Sequence, residues 1–137
     1  MLLEGRRLPQ DPDKGLELIR NAAILRNRPA QFYLGAAYER GDGLPQSPDE
    51  ARQYYRLCAV QGETICQVRL AKLLLDRPPD GQNREERDYL QAIAWLELAE
   101  EKGDPLARVW LDQERGGLTE AQIDWVKRLK EQFLSMR

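Results

Sequence analysis

Apolar side chains recur along this chain at the spacing of a helix. Tyr54, Tyr55, Cys58 and Ala59 share one helical face, as do Leu90, Ile93, Leu96 and Ala99, with charged residues between them. No stretch sustains a two-residue alternation, so an all-α fold without a sheet is expected. The helix starts are marked locally. Ser47-Pro48-Asp49-Glu50 joins an N-cap serine to a proline at the first helical position and a glutamate placed to close a capping box. Asp11-Pro12 and Asp104-Pro105 repeat the cap-plus-proline device, and Thr119 with Gln122 forms another box. The pattern predicts helices near 12–26, 29–40, 48–61, 64–75, 87–102, 105–114 and 119–135.

The pattern is periodic over a longer distance too. LPQDPDKG at Leu8–Gly15 returns as LPQSPDEA at Leu44–Ala51, an offset of 36 residues. In that register Gly5 falls on Gly41, Arg20 on Arg56, Ala23 on Ala59, Gln31 on Gln67 and Leu34 on Leu70. A further copy follows at an offset of 41, with Gln61-Gly62 on Lys102-Gly103, Tyr54-Tyr55 on Trp95-Leu96 and Leu70 on Leu111. The five extra residues belong to the polar stretch Asp76–Arg87, which reads as a loop insertion. The units run approximately 1–28, 29–63, 64–104 and 105–115, all in one domain covering 1–137. Each unit is a helix pair that cannot bury its apolar faces alone, so neighbouring pairs are expected to stack into an α-solenoid.

The last predicted helix lies outside the repeat. Ile123, Trp125, Val126, Leu129 and Phe133 take one half of its wheel, opposite Asp124, Lys127, Arg128 and Glu131. It is expected to cap the last repeat, the other reading being an amphipathic helix for a partner. Tyr38, Tyr54, Tyr55, Trp95 and Trp125 sit on apolar stripes and are read as packing residues.

Composition narrows the classes. Of 137 residues 42% are hydrophobic and 32% charged, with a net charge of −2, as in a soluble globular domain. No dense basic stripe is present, so nucleic-acid binding is not expected. No apolar run approaches the roughly 18 residues of a membrane span, and the opening MLLEGRRLPQ is too short in its apolar part for a signal peptide. Met1–Leu3 align with Ala37–Glu39, the tail of a first helix. An upstream helix with an export signal is therefore expected, against the alternative that helix 12–26 opens the fold unaided.

The chain offers little for catalysis. It has no histidine, which removes the commonest general base and every Ser-His or Cys-His arrangement. The GDG turn lacks a Gly-Lys-Ser/Thr continuation. Carboxylates sit at caps, such as Asp11, Asp49 and Asp104, or on solvated faces, such as Glu97, Glu100 and Glu101. No enzyme activity, cofactor or metal is expected. Two cysteines, Cys58 and Cys66, do not complete a zinc site. Whether they are free thiols or a bridge depends on the chain turning at Gly62, because one continuous helix would hold them about 12 Å apart.

The block Ala30–Glu63 resembles the Sel-like repeat, the Sel-one branch of tetratricopeptide-like proteins. Ala30, Leu34-Gly35, Tyr38, Gly41 and Gly43, Ala51, Tyr54-Tyr55, Ala59 and Gly62 meet its pattern of Ala, Leu-Gly, Tyr, Gly-x-Gly, Ala, aromatic, Ala and Gly. The first unit departs at Gly15, where the pattern has Ala, and at Arg26, where it has Gly; the third lacks the Gly-x-Gly pair. The resemblance implies a right-handed α/α solenoid of stacked helix pairs, with the first helices lining a concave wall. Gln31, Gln67 and Arg108 should form one row along that wall, and Tyr33, Arg69 and Trp110 another. Both rows are expected to bind another protein or peptide, the bland reading being that they face solvent or a neighbouring helix.

The spacing of Cys58 and Cys66 resembles the disulfide of cysteine-rich bacterial members, which implies a bridge and a periplasmic or secreted protein. Reduced cysteines would instead mean a cytoplasmic one. The competing reading is two small buried residues in alanine-type sites, since Ala22 and Ala30 hold those places one repeat earlier. The resemblance implies a non-catalytic scaffold or adaptor of the bacterial cell envelope. The alternative is an inhibitor or immunity protein blocking an envelope enzyme, a peptidoglycan lyase or a secreted lipase.

Overall fold

A computed structural model describes residues 12–76 and 86–136. Its helices are α1 (Pro12–Ile24), α2 (Arg28–Arg40), α3 (Pro48–Val60), α4 (Thr64–Leu75), α5 (Glu86–Glu101), α6 (Pro105–Glu114) and α7 (Glu120–Ser135), with a short 3-10 turn at Arg115–Gly117. No strand occurs among the described residues. Each helix packs mainly on its neighbours in sequence, α1 on α2 and onward to α5 on α6, which is the stacking of a solenoid. The first helices are α2, α4 and α6; the second helices are α1, α3 and α5.

The caps explain the boundaries. Asp104 Oδ1 accepts from Ala107 N at 2.9 Å, and the Thr119–Gln122 box closes in both directions. Ser47 Oγ accepts from Glu50 N, but the Ser47 amide donates to the Tyr38 carbonyl at 2.9 Å, so a tertiary bond replaces the expected glutamate half of the box. Asn27 caps α2 through Ala30 N, a role its place between Arg26 and Arg28 did not advertise. The Asp11 cap lies outside the described residues.

The turn from a second helix to the next first helix needs a left-handed residue. Gly62 (φ 98°) and Gly103 (φ 91°) supply it without steric cost, while the equivalent Arg26 adopts φ 69° and ends α1 two residues earlier than predicted. Between a first helix and the second helix that follows it, Gly35 serves a different purpose. A Cβ there would stand 2.6 Å from two ring carbons of Tyr55, so α2 and α3 approach closely only because position 35 has no side chain.

The core runs along the seams. Tyr55, Cys58, Ala59, Cys66, Leu70, Ala71, Leu90, Ile93, Trp95, Leu96 and Leu111 are buried in one continuous cluster. Cys58 and Cys66 form a disulfide across the Gly62 turn, with Cα atoms 5.9 Å apart.

The last helix caps the solenoid in an unexpected manner. α7 runs parallel along α5, tied at its start by Gln122 to Glu86 and near its end by Lys130 to Glu97 and Glu101. Phe133 stacks on Trp95 at 3.9 Å, with the Arg56 guanidinium of α3 5.8 Å from its ring centre. Val126 and Phe133 face inward, but Ile123 and Trp125 are exposed. Trp125 is therefore not the packing residue its stripe suggested. α7 rests mainly on α5 rather than in a deep two-walled groove, so only a narrow stripe of its wheel is covered.

Candidate functional site

Gln31 and Gln67 recur at the same place in successive first helices and are almost wholly buried, each spanning a repeat seam. Gln31 Nε2 donates to the Ala23 carbonyl at 2.8 Å and Gln67 Nε2 to the Ala59 carbonyl at 3.1 Å. Each thus adds a second donor to a carbonyl at the end of the preceding helix that already accepts a turn amide, from Arg26 N at Ala23 and from Gly62 N at Ala59. Gln31 Oε1 in turn accepts from Gln61 Nε2 at 2.7 Å. One repeat on, Lys102 replaces Gln61 and its ammonium turns to the Gly62 carbonyl at 2.6 Å, leaving Gln67 Oε1 without a partner among the described residues. These two glutamines are seam residues, which corrects their expected place on a binding surface. Arg108, the third of that row, is exposed.

The second row fares differently. Tyr33 is exposed; Arg69 is half-buried, 3.8 Å from Glu39 and over the Phe32 ring at 5.7 Å; Trp110 is half-buried. Arg69 is thus held between α2 and α4 by a carboxylate that also accepts from the Tyr55 hydroxyl at 2.6 Å. Burial, then the hydrogen bond to Glu39, pushes the Tyr55 phenol well above its ordinary value.

Tyr33 and Trp110 each line an open cleft on the side of the first helices. Pro29, Phe32, Tyr33, Ala36 and Arg40 surround one of about 540 Å³. Lys72, Leu75, Asp76, Trp110 and Glu114 surround another of about 270 Å³ between α4 and α6. Both clefts therefore set an aromatic ring beside a basic side chain. Exposed Ile65 and Leu106 occupy equivalent positions on α4 and α6, adding apolar surface to the same wall.

α6 is unlike the other first helices on its opposite face. Val68 is buried, but its equivalent Val109 is 53% exposed. Where Gly35 and Ala71 admit a second helix, α6 carries the exposed Asp112. With α7 drawn onto α5, no second helix covers that face of α6 among the described residues.

No group of three or more histidine, cysteine or acidic residues able to hold a metal ion occurs among the described residues. No described helix is long and apolar enough to cross a membrane.

Paired helices, left-handed seam residues and close-packing small positions at a constant spacing define an α/α repeat protein. The chain belongs to the Sel1 repeat family, whose model matches residues 1–27, 28–62 and 65–104. The stretch 105–115, read above as a fourth unit, falls outside those matches. Two solved structures share the fold. One is c5321, a protective antigen present in uropathogenic Escherichia coli strains, which superimposes with a TM-score of 0.72 at 28% identity over 95% of this chain and 27% of that one. The other is a Sel1 repeat protein from Oxalobacter formigenes, with a TM-score of 0.62 at 29% identity over 73% of this chain and 28% of that one. Chitin synthase regulatory factor 4 of Schizosaccharomyces pombe is 36% identical over 74 residues, 53% of this chain and 12% of that protein. The chain thus spans only a small part of the length of these relatives.

Proposed function

We propose that this chain is a non-catalytic scaffold that binds another protein or peptide along the wall of its first helices. The observation that carries this reading is the pair of clefts in which Tyr33 stands beside Arg40 and Trp110 beside Lys72. Tryptophan, tyrosine and arginine are the commonest anchors of protein interfaces, and here Tyr33, Arg40 and Trp110 are spaced along the first helices. A relative named as a regulatory factor is in keeping with action through a partner. The expected row is reduced to Tyr33 and Trp110, with Arg69 as the strut between them.

The workplace we propose is the periplasm or the cell exterior of a bacterium, on the strength of the Cys58–Cys66 bridge, since such bonds persist in oxidising compartments. The intact protein should weigh two hydrogens less than the dithiol. Labelling of both cysteines in unfolded, unreduced protein refutes the bridge.

The binding reading is tested by pull-down from envelope extract with the chain and its Tyr33→Ala/Trp110→Ala variant. Loss of a partner with the variant supports it, and an unchanged partner list removes the wall as the site. A stoichiometric complex that abolishes the partner's own enzymatic activity would select the inhibitor over the adaptor.

A further inference from the structure

Successive first helices meet in equivalent grooves, and the charge of the groove reverses from one to the next. In the register of the repeat, Glu39, Arg40, Arg69 and Leu73 between α2 and α4 become Leu75, Asp76, Trp110 and Glu114 between α4 and α6. The first groove supplies its own cation. There the Arg69 guanidinium lies over the Phe32 ring at 5.7 Å and 3.8 Å from the Glu39 carboxylate. In the second groove an indole takes the place of Arg69, and an open cleft of about 270 Å³ remains, in which Trp110 stands with Asp76, Glu114 and Lys72. No described guanidinium lines it. The partners of a guanidinium, an aromatic ring and carboxylates, are thus present without the guanidinium itself. Two carboxylates against one ammonium also leave the described lining net negative, so one entering cation brings it to balance. The Tyr89 hydroxyl donates to Glu114 Oε1 at 2.8 Å and steadies that carboxylate, which has acceptor sites left for an incoming donor.

We infer, on the reading of the first-helix wall as the binding surface, that the α4–α6 cleft is the subsite for an arginine side chain of the bound protein, its guanidinium lying on the Trp110 ring and donating to Asp76 and Glu114. Arginine suits the cleft better than lysine. A planar guanidinium stacks on an indole through its face and donates through its edge to carboxylates at the same time, whereas an ammonium is a strongly hydrated point charge. An acidic side chain would meet two like charges, and an apolar one would desolvate Asp76, Glu114 and Lys72 without offering a hydrogen bond in return.

The test uses the full chain with 15N-labelled tryptophan and the probe N-acetylarginine amide, followed through the Trp110 indole N–H resonance, which is assigned by its loss in Trp110→Leu. The probe should shift that resonance saturably, and N-acetylcitrulline amide, its uncharged isostere, should bind at least about fivefold more weakly. At low ionic strength Asp76→Asn and Glu114→Gln should each weaken binding by about two- to fivefold, and Lys72→Met should strengthen it by a similar factor. Asp76 and Lys72 are exposed, so their variants decide the matter even where Trp110→Leu does not fold, and circular dichroism verifies each protein. The inference is overturned by the absence of a saturable shift at Trp110, by an equal response to the citrulline compound, or by a Lys72→Met chain that binds arginine no better than the parent. The wall reading is judged separately. A failed probe beside a partner still lost with Tyr33→Ala/Trp110→Ala overturns the arginine subsite and leaves the wall standing, whereas a probe that binds as expected beside an unchanged partner list removes the wall and keeps the cleft as an arginine site.

Discussion

Gly35→Ala sets two well-known effects against each other, and the structure says which wins. Alanine favours the helical backbone over glycine by about 1 kcal/mol, so an exposed helix would gain stability. Here the new methyl would lie 2.6 Å from Cδ1 and Cε1 of Tyr55, whereas carbon atoms pack comfortably at about 3.5–4.0 Å. The ring must retreat by roughly 1 Å to restore that spacing. It has little freedom to do so, being fully buried, bonded through its hydroxyl to Glu39 and leaning on Phe32 with centroids 6.0 Å apart. Overpacking of this kind costs about 1–3 kcal/mol, leaving a net loss near 1 kcal/mol after the helix gain. For a chain of this length that lowers the melting temperature by roughly 4 °C. The chain supplies its own control, since Ala71 and Leu96 stand one repeat on where Gly35 and Tyr55 stand here. In a Gly35→Ala, Tyr55→Leu double-mutant cycle read by urea unfolding, the substitutions should be less damaging together than their sum by at least about 1 kcal/mol. A stabilised Gly35→Ala protein, or additivity in the cycle, would refute the argument that ring contact sets residue 35.

Arg26→Gly should raise stability by a few tenths to about 1 kcal/mol, the relief of a left-handed arginine exceeding the entropy a glycine adds to the unfolded chain, as thermal unfolding would show; a loss would mean that the Arg26 side chain is itself stabilising. Lys102→Gln should gain about 0.5–1 kcal/mol by returning a carboxamide donor to the unpartnered Gln67 Oε1, as Gln61 does for Gln31, and no such gain should appear when Gln67 is first changed to Leu. Because the folded Tyr55 phenol titrates above its unfolded value of about 10, the unfolded chain loses that proton first, and stability should decline as pH rises beyond about 10. A urea midpoint with the same alkaline slope in Tyr55→Phe as in the parent chain would remove Tyr55 as the cause.

Much of the fold was legible because its signals are local. Proline at Pro48 and Pro105, the Thr119–Gln122 box and the 36-residue echo each depend on a few neighbouring residues, and the structure places helix ends within two residues of them. The site was less legible because orientation within a helix depends on what lies across it. The register of the first helices puts Gln31 and Gln67 in a row on the binding wall, yet both are buried on the stripe that carries Leu34 and Leu70. A polar residue recurring on an apolar stripe was the available signal for a seam bond. Tyr33 and Trp110 do reach open clefts, while Arg69, between them in the same register, is drawn off by Glu39, a partner on another helix that no spacing within α4 reveals. Trp125 was misjudged for the converse reason. The wheel of α7 shows a broad apolar half, but α5 is the main helix beneath it.

The buried glutamines bear on how the chain comes apart. Each belongs to a first helix, but its side-chain N–H is accepted by a carbonyl of the helix before it, so unravelling from the α1 end would strip Gln31, and then Gln67, of that acceptor inside a closed interior. Every partly unfolded form with a dry seam then carries the penalty of an unmatched amide, roughly 1–3 kcal/mol, which discourages stopping between units. An array that contact by contact looks free to fray is in this way biased toward melting as a whole.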